Sequence, residues 1–154
     1  MEYYCFDLDG TLCTQVFVES RGADATVEEI YKLAKPLNDR IAVVNNLYDE
    51  GNYITIDTAR GSPHPTKAAN EPKAEWETMT KRQLGEWGVK HHELRVGEKI
   101  HAYIYVDDRA VFADDFFKTK SNFTIRQADD DAYYADNYSG IMKLDMGEPY
   151  GPRE

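Results

Sequence analysis

Phe6-Asp7-Leu8-Asp9-Gly10-Thr11-Leu12 is the stretch on which the reading of this chain turns. It follows Tyr3-Tyr4-Cys5, and residues 2–8 together read as a short first strand. Two carboxylates stand two residues apart where that strand ends, next to a glycine and a threonine. Residues two apart on a strand face the same side. Asp7 and Asp9 are therefore expected to look into one crevice as the strand opens into a turn. Like charges held that close cost energy unless a cation or a shared proton compensates. A hard divalent cation that takes oxygen ligands, Mg²⁺ above all, answers that need.

Working outward, Tyr53-Ile54-Thr55-Ile56 predicts a second strand, Glu93-Leu94-Arg95-Val96 a third and Tyr103-Ile104-Tyr105-Val106 a fourth. Between the first two, Lys35-Pro36-Leu37-Asn38 reads as a helix start with proline at an early helical position. Leu37, Ile41, Val44, Leu47 and Tyr48 then recur at helical spacing, and Gly51 closes the run. Gly61 to Pro72 holds three prolines and reads as a loop. Trp76, Met79, Gln83, Leu84 and Trp87 predict a second amphipathic helix ended by Gly88. Val111, Phe112, Phe116 and Phe117 fit a third. Strands alternating with helices argue for a parallel α/β sheet. A flap is expected around Val16-Phe17-Val18, and a last short strand at Phe123-Thr124-Ile125. Asp129-Asp130-Asp131 reads as a solvated loop. Tyr133, Tyr134, Tyr138 and Tyr150 suggest a tail that packs on the body or on a partner.

The 154 residues suit one domain. Net charge is -10, from 28 acidic and 18 basic residues, a balance that repels nucleic acid and anionic membranes at long range. Two cysteines are too few for a disulfide framework, and Cys5, in the apolar first strand, is expected to be a buried thiol. No apolar run approaches membrane-spanning length and no leader pattern precedes the acidic motif, which reads as a cytoplasmic protein. His64, His91, His92 and His101 do not form a metal-ligand spacing.

In an open parallel sheet, ligands bind beyond the carboxyl ends of the strands. Asp7 and Asp9 lie there. So do Thr58-Ala59-Arg60-Gly61 after the second strand and Asp107-Asp108 after the fourth, with Lys99 just upstream. Each has an everyday reading as well. Thr58 suits a helix N-cap. Lys81 and Lys90 compete with Lys99. The acid pair suits a cap on the following helix. Arg60 and Arg109 suit ion pairs with an acidic surface.

Taken in order, these segments resemble the four motifs of the haloacid-dehalogenase-like phosphohydrolase superfamily over about residues 2–118, within the few residues' error of such pattern matching. Asp7-Leu8-Asp9-Gly10-Thr11-Leu12 matches the first motif, Thr58 the second, Lys99 the third and Asp107-Asp108 the fourth. Thr58-Ala59-Arg60-Gly61, Leu94 to Lys99 and Tyr105 to Ala110 look like a small capless subgroup often linked to polysaccharide or capsule biosynthesis. Ile100 departs from that subgroup, which commonly has proline after the motif lysine. The resemblance implies a three-layer Rossmann-like sandwich with a central parallel sheet and no separate cap domain. It implies a catalytic core over 1–118 and a C-terminal extension over 119–154.

The resemblance also implies a Mg²⁺-dependent phosphatase. Asp7 would be the nucleophile, forming an aspartyl-phosphate, and Asp9 the general acid and base. Gly10, Thr58, Ala59 and Lys99 would bind the phosphate. Asp7, Asp9 through its backbone carbonyl, Asp107 and Asp108 would hold the metal. An acid at position 9 favours phosphatase over dehalogenase or transport-ATPase chemistry. The expected substrate is a small-molecule or polymer phosphate monoester; sugar phosphate, nucleotide and phosphorylated polymer stay open. An open site invites the tail or a second copy of the chain as a cover. The rival readings are a capless polynucleotide phosphatase, against which the negative charge argues, and a phospho-acceptor domain of the receiver type. The receiver type places its acid pair first rather than last.

Overall fold

The alternation in Tyr53–Thr58 organises the fold. A computed structural model of the chain describes residues 1–16, 29, 31–62 and 73–120. In it Tyr53–Thr58 forms strand β2, with Ile54, Ile56 and Thr58 buried and Tyr53, Thr55 and Asp57 half-buried on the other face. β1 (Tyr3–Phe6) pairs in parallel on one side, Tyr3 opposite Tyr53 and Phe6 opposite Ile56. β3 (Glu93–Val96) pairs in parallel on the other, Thr55 opposite Glu93 and Thr58 opposite Val96. The strand order is β1-β2-β3. β1 is shorter than the expected 2–8, because Leu8 already belongs to the turn that follows.

Parallel neighbours need a crossover. Helix α1 (Asn38–Asp49) makes the first and α2 (Lys73–Glu86) the second, α1 touching β2 and α2 touching β3. α1 buries Ile41, Val44 and Leu47, the helical spacing anticipated from the sequence. Gly51 ends it at φ +91°, donating its N–H to the Tyr48 carbonyl at 3.0 Å. Pro36 is not in the helix. The Leu37 N–H donates instead to Leu12 O at 2.9 Å, and Pro36 bridges to Cys13, so this segment is tied to the turn after β1. On α2, Trp76 and Met79 pack with Val96, Tyr31 and Leu94. Trp87 falls in the closing turn, not on the helix.

Among the described residues the result is a small α/β fold, a three-stranded parallel sheet with α1 and α2 as its crossovers, consistent with a Rossmann-like architecture. The chain divides into two compact units, Met1–Ala110 and Val111–Glu154. The third helix, α3 (Ala113–Lys120), belongs to the second unit and begins after Val111 and Phe112. Asp114 and Asp115 sit in its first turn, where the helix dipole favours negative charge.

Two further expectations are corrected. Cys5 is exposed, because among the described residues β1 stands at the edge of the sheet and Cys5 lies on its open face; Cys13 is the buried thiol. Tyr103–Val106 is not a fourth strand. Tyr103 is 81% and Val106 92% exposed, and neither belongs to any element. A strand is a pairing, not a local property of its residues. Here the Tyr105 hydroxyl donates to the Ile100 carbonyl, and the Tyr105 ring lies under the Lys99 ammonium. These contacts close the segment on itself. The flap beyond Val16, the Phe123–Ile125 strand, the acidic run and the tyrosine-rich tail lie outside the described residues.

Candidate functional site

The turn after β1 is built around one carbonyl. Leu8 O accepts from the N–H groups of Thr11 at 3.0 Å, Leu12 at 2.8 Å and Cys13 at 3.2 Å. Gly10 stands at φ +81° and donates its N–H to Cys13 O at 2.8 Å, a conformation open to glycine. Leu8 and Leu12 are fully buried and pin the loop to the core. Arg40 of α1, itself buried, donates to the Thr11 carbonyl at 3.2 Å. Asp7 and Asp9 project from either side of Leu8, each toward its own cation.

Asp7 meets Lys99, 92 residues away in sequence: Nζ to Oδ1 is 3.0 Å. The Thr11 hydroxyl donates to the other Asp7 oxygen at 3.3 Å. Lys99 Nζ also reaches the Asp57 carbonyl at 3.4 Å, so this one ammonium spans the ends of β1 and β2. Burial pushes the Asp7 carboxyl above the ordinary aspartate range, while Lys99 pulls it down. Some 40% of the Asp7 side chain still reaches solvent, which screens that push. Burial would lower the Lys99 pKa; the Asp7 carboxylate outweighs it and the net direction is up, so Lys99 stays cationic.

Asp9 meets Arg60. Arg60 Nε donates to Oδ2 and Nη2 to Oδ1, both at 2.8 Å, a two-pronged pair with the arginine side chain fully buried. The third nitrogen is held from α2. Nη1 reaches Thr80 Oγ1 at 3.3 Å and Gln83 Oε1 at 2.6 Å, and Gln83 Nε2 donates to the Tyr31 carbonyl at 2.7 Å. The Tyr31 ring lies 4.5 Å from the guanidinium carbon. Burial works against the guanidinium charge and Asp9 more than restores it, raising the Arg60 pKa. The Cys13 thiol donates to Asp9 Oδ1 at 3.4 Å; burial first and Asp9 second push its pKa well up, which keeps it an inert thiol.

The loops after β2 and β3 are tied together where these cations arise. The Gly97 N–H donates to Arg60 O at 2.9 Å. Gly97 stands at φ +80°, and a side chain there would meet Lys73 Cγ at 3.1 Å and Gly61 O at 3.3 Å.

Of the residues singled out from the sequence, Asp7 and Lys99 come together, and Asp9 lies in the same turn as Asp7. Thr58 is buried at the end of β2, and its hydroxyl accepts from the Arg60 N–H at 3.2 Å, shaping the turn that carries Arg60. Ala59 O closes the same turn by accepting from Ser62 N–H at 3.0 Å. The competing lysines lie elsewhere: Lys81 pairs with Glu77 at 2.8 Å, and Lys90 with Asp49 at 2.7 Å. Asp107 and Asp108 stand exposed, with Asp107 Oδ1 accepting from the Arg109 N–H at 2.7 Å.

The oxygen donors of Asp7, Asp9, Asp107 and Asp108 suit Mg²⁺ in kind. Among the described residues, however, no three His, Cys, Asp or Glu side chains stand close enough to hold a metal ion. His92 serves the fold: its Nδ1 accepts from the Ile54 N–H at 3.1 Å, and its ring stacks on Tyr48 and Tyr53. Sequence reasoning missed the depth of Arg60, which it assigned to the acidic surface, and the part played by Arg40, Thr80 and Gln83. The one available signal was helical spacing, which sets polar Thr80 and Gln83 on the apolar face of α2.

No family model matches the chain, and no curated protein matches it. The fold is similar to the crystal structure of a target protein from Vibrio cholerae, at 24% identity and a TM-score of 0.50, over 75% of this chain and 87% of that one. That likeness concerns the fold alone. Among the described residues no helix is long and apolar enough to cross a membrane.

Proposed function

We propose that the chain is a Mg²⁺-dependent phosphomonoester hydrolase that works through a phosphoryl group on Asp7. The observation that carries this reading is the 3.0 Å ion pair between Lys99 Nζ and Asp7 Oδ1. A lysine predicted to neutralise a transferring phosphoryl group stands at the carboxylate predicted to receive it, though the fold had to bring them together across 92 residues. The motif resemblance described above supports the same assignment.

Asp7 Oδ attacks phosphorus, and the ester P–O bond breaks. Asp9 gives a proton to the leaving oxygen. Water then attacks the phosphorus of the aspartyl-phosphate and passes a proton to Asp9, releasing inorganic phosphate and the Asp7 carboxylate. Lys99 offsets negative charge on the transferring group. Gly10, Thr58 and Ala59 frame the phosphate. Asp7, the Asp9 carbonyl, Asp107 and Asp108 would hold Mg²⁺, which would offset the charge of the phosphate dianion against an attacking carboxylate. The acid pair enters this set through its match to the fourth motif of that resemblance.

Phosphate release with Mg²⁺ across sugar phosphates, nucleotides and phosphorylated oligomers tests the reading. Turnover that Asp7→Asn abolishes is the expected result. A fully active Asp7→Asn protein excludes this mechanism.

A further inference from the structure

We infer that Arg60 is a positioning residue, whose guanidinium fixes the direction in which the Asp9 carboxylate offers a proton-transfer oxygen. A carboxylate oxygen has two acceptor sites. The Arg60 fork occupies one on each Asp9 oxygen, at 2.8 Å and 2.8 Å. The Cys13 thiol lies against Oδ1 at 3.4 Å, its one proton shared between that oxygen and the Leu8 carbonyl at 3.6 Å. Among the described residues no second donor reaches Oδ2, which leaves that oxygen to exchange a proton with a substrate. The fork cannot rotate, because Nη1 is tied to Thr80 and Gln83 on α2 and the guanidinium lies against the Tyr31 ring. A lone surface ion pair would not need this housing; Arg60 is 3% exposed and every nitrogen of its guanidinium is bonded. Helix α2, which contributes no catalytic residue, thus orients the acid–base group through one intermediary.

The kinetic part of this inference rests on the phosphomonoesterase reading; the orientation itself does not. Arg60→Lys keeps a charge and loses the fork. Its kcat is expected to fall about 10²-fold with KM within about twofold, because misplacing a catalytic group costs that much while substrate binding is untouched. Combined with Asp9→Asn, it should add no further loss. If Arg60→Lys does not fold, Thr80→Val, which removes one anchor of the fork, should lower kcat several-fold with the same unchanged KM.

Independently of turnover, the Arg60 Nε–H should give a slowly exchanging NMR resonance in the wild-type protein, lost in Asp9→Asn. Wild-type kcat in the folded Arg60→Lys protein overturns the inference. So does an additive loss in the double variant, or an Nε–H that exchanges as freely as a surface arginine's. A wild-type protein that releases no phosphate yet keeps the protected Nε–H, lost in Asp9→Asn, refutes the phosphatase reading and upholds the orientation of Asp9.

Discussion

At the scale of single residues, the two aspartates of the turn are held by opposite devices, and this makes their substitutions behave differently. Asp7 is a rim residue, with 40% of its side chain exposed beside a lysine that is 20% exposed. Its folded pKa is raised, so ionisation costs more in the folded chain than in the unfolded one. The fold is therefore favoured below the unfolded value near 3.8, and that advantage is lost as pH rises through the raised folded value. Asp7→Asn in metal-free protein should accordingly raise the melting temperature at neutral pH, with a gain that shrinks as the pH approaches 3.8. A lower melting temperature at neutral pH would contradict this. Lys99→Ala removes the cation that pulls the carboxyl down and should cut kcat/KM about 10²–10³-fold in phosphate-release assays.

Asp9 is the reverse case. Its side chain is 12% exposed and its partner's 0%. Breaking one side of a buried ion pair costs about 3–5 kcal/mol, a large part of a stability of about 5–15 kcal/mol. Asp9→Ala should thus lose both turnover and denaturant resistance, measured by the urea midpoint, where Asp7→Asn loses turnover alone.

At the scale of elements, what pairs with what matters more than what each segment prefers. The helix periodicities of α1 and α2 and the closing glycines were legible, because apolar spacing and a left-handed cap are written locally. Tyr103–Val106 was not. Its β-branched and aromatic residues satisfy strand preference, yet the Tyr105 hydroxyl and the Lys99 ammonium claim the segment for a local closure. The proposed function makes a prediction here. With Mg²⁺ and inorganic phosphate bound, amide hydrogen exchange over Tyr103–Asp108 should slow as the acid pair engages the metal. Unchanged exchange in a metal-saturated, active protein would separate the acid pair from the site. The tie between the loops after β2 and β3 is equally testable. Gly97→Ala forces a side chain into φ +80° and against Lys73 and Gly61, and should cost more than about 1 kcal/mol in chemical denaturation while displacing Lys99.

At the scale of the whole molecule, the charge of -10 surrounds a site that holds two cations of its own. An anionic substrate is repelled at a distance and attracted only at contact. Added salt screens the repulsion first, so kcat/KM for a small phosphate monoester should rise modestly between low and physiological ionic strength. A steep fall instead would mark a polynucleotide substrate.

The ends of β1 and β2 and the lysine upstream of the acid pair could be read from the chain, since acidic and hydroxyl residues after apolar strands announce themselves. The buried arginines could not. Arg60 and Arg40 look like surface charges in a sequence with ten more acids than bases, and only the fold reveals that each is spent inside on the turn after β1.

The reading stands on Asp7 as the atom that takes the phosphoryl group. Acid quench during turnover, followed by borohydride reduction and peptide mass spectrometry, converts an aspartyl-phosphate into homoserine at its own position. The account predicts that label at residue 7, dependent on substrate and absent in Asp7→Asn. Phosphate release with residue 7 unlabelled, or with the label at residue 9, would contradict it.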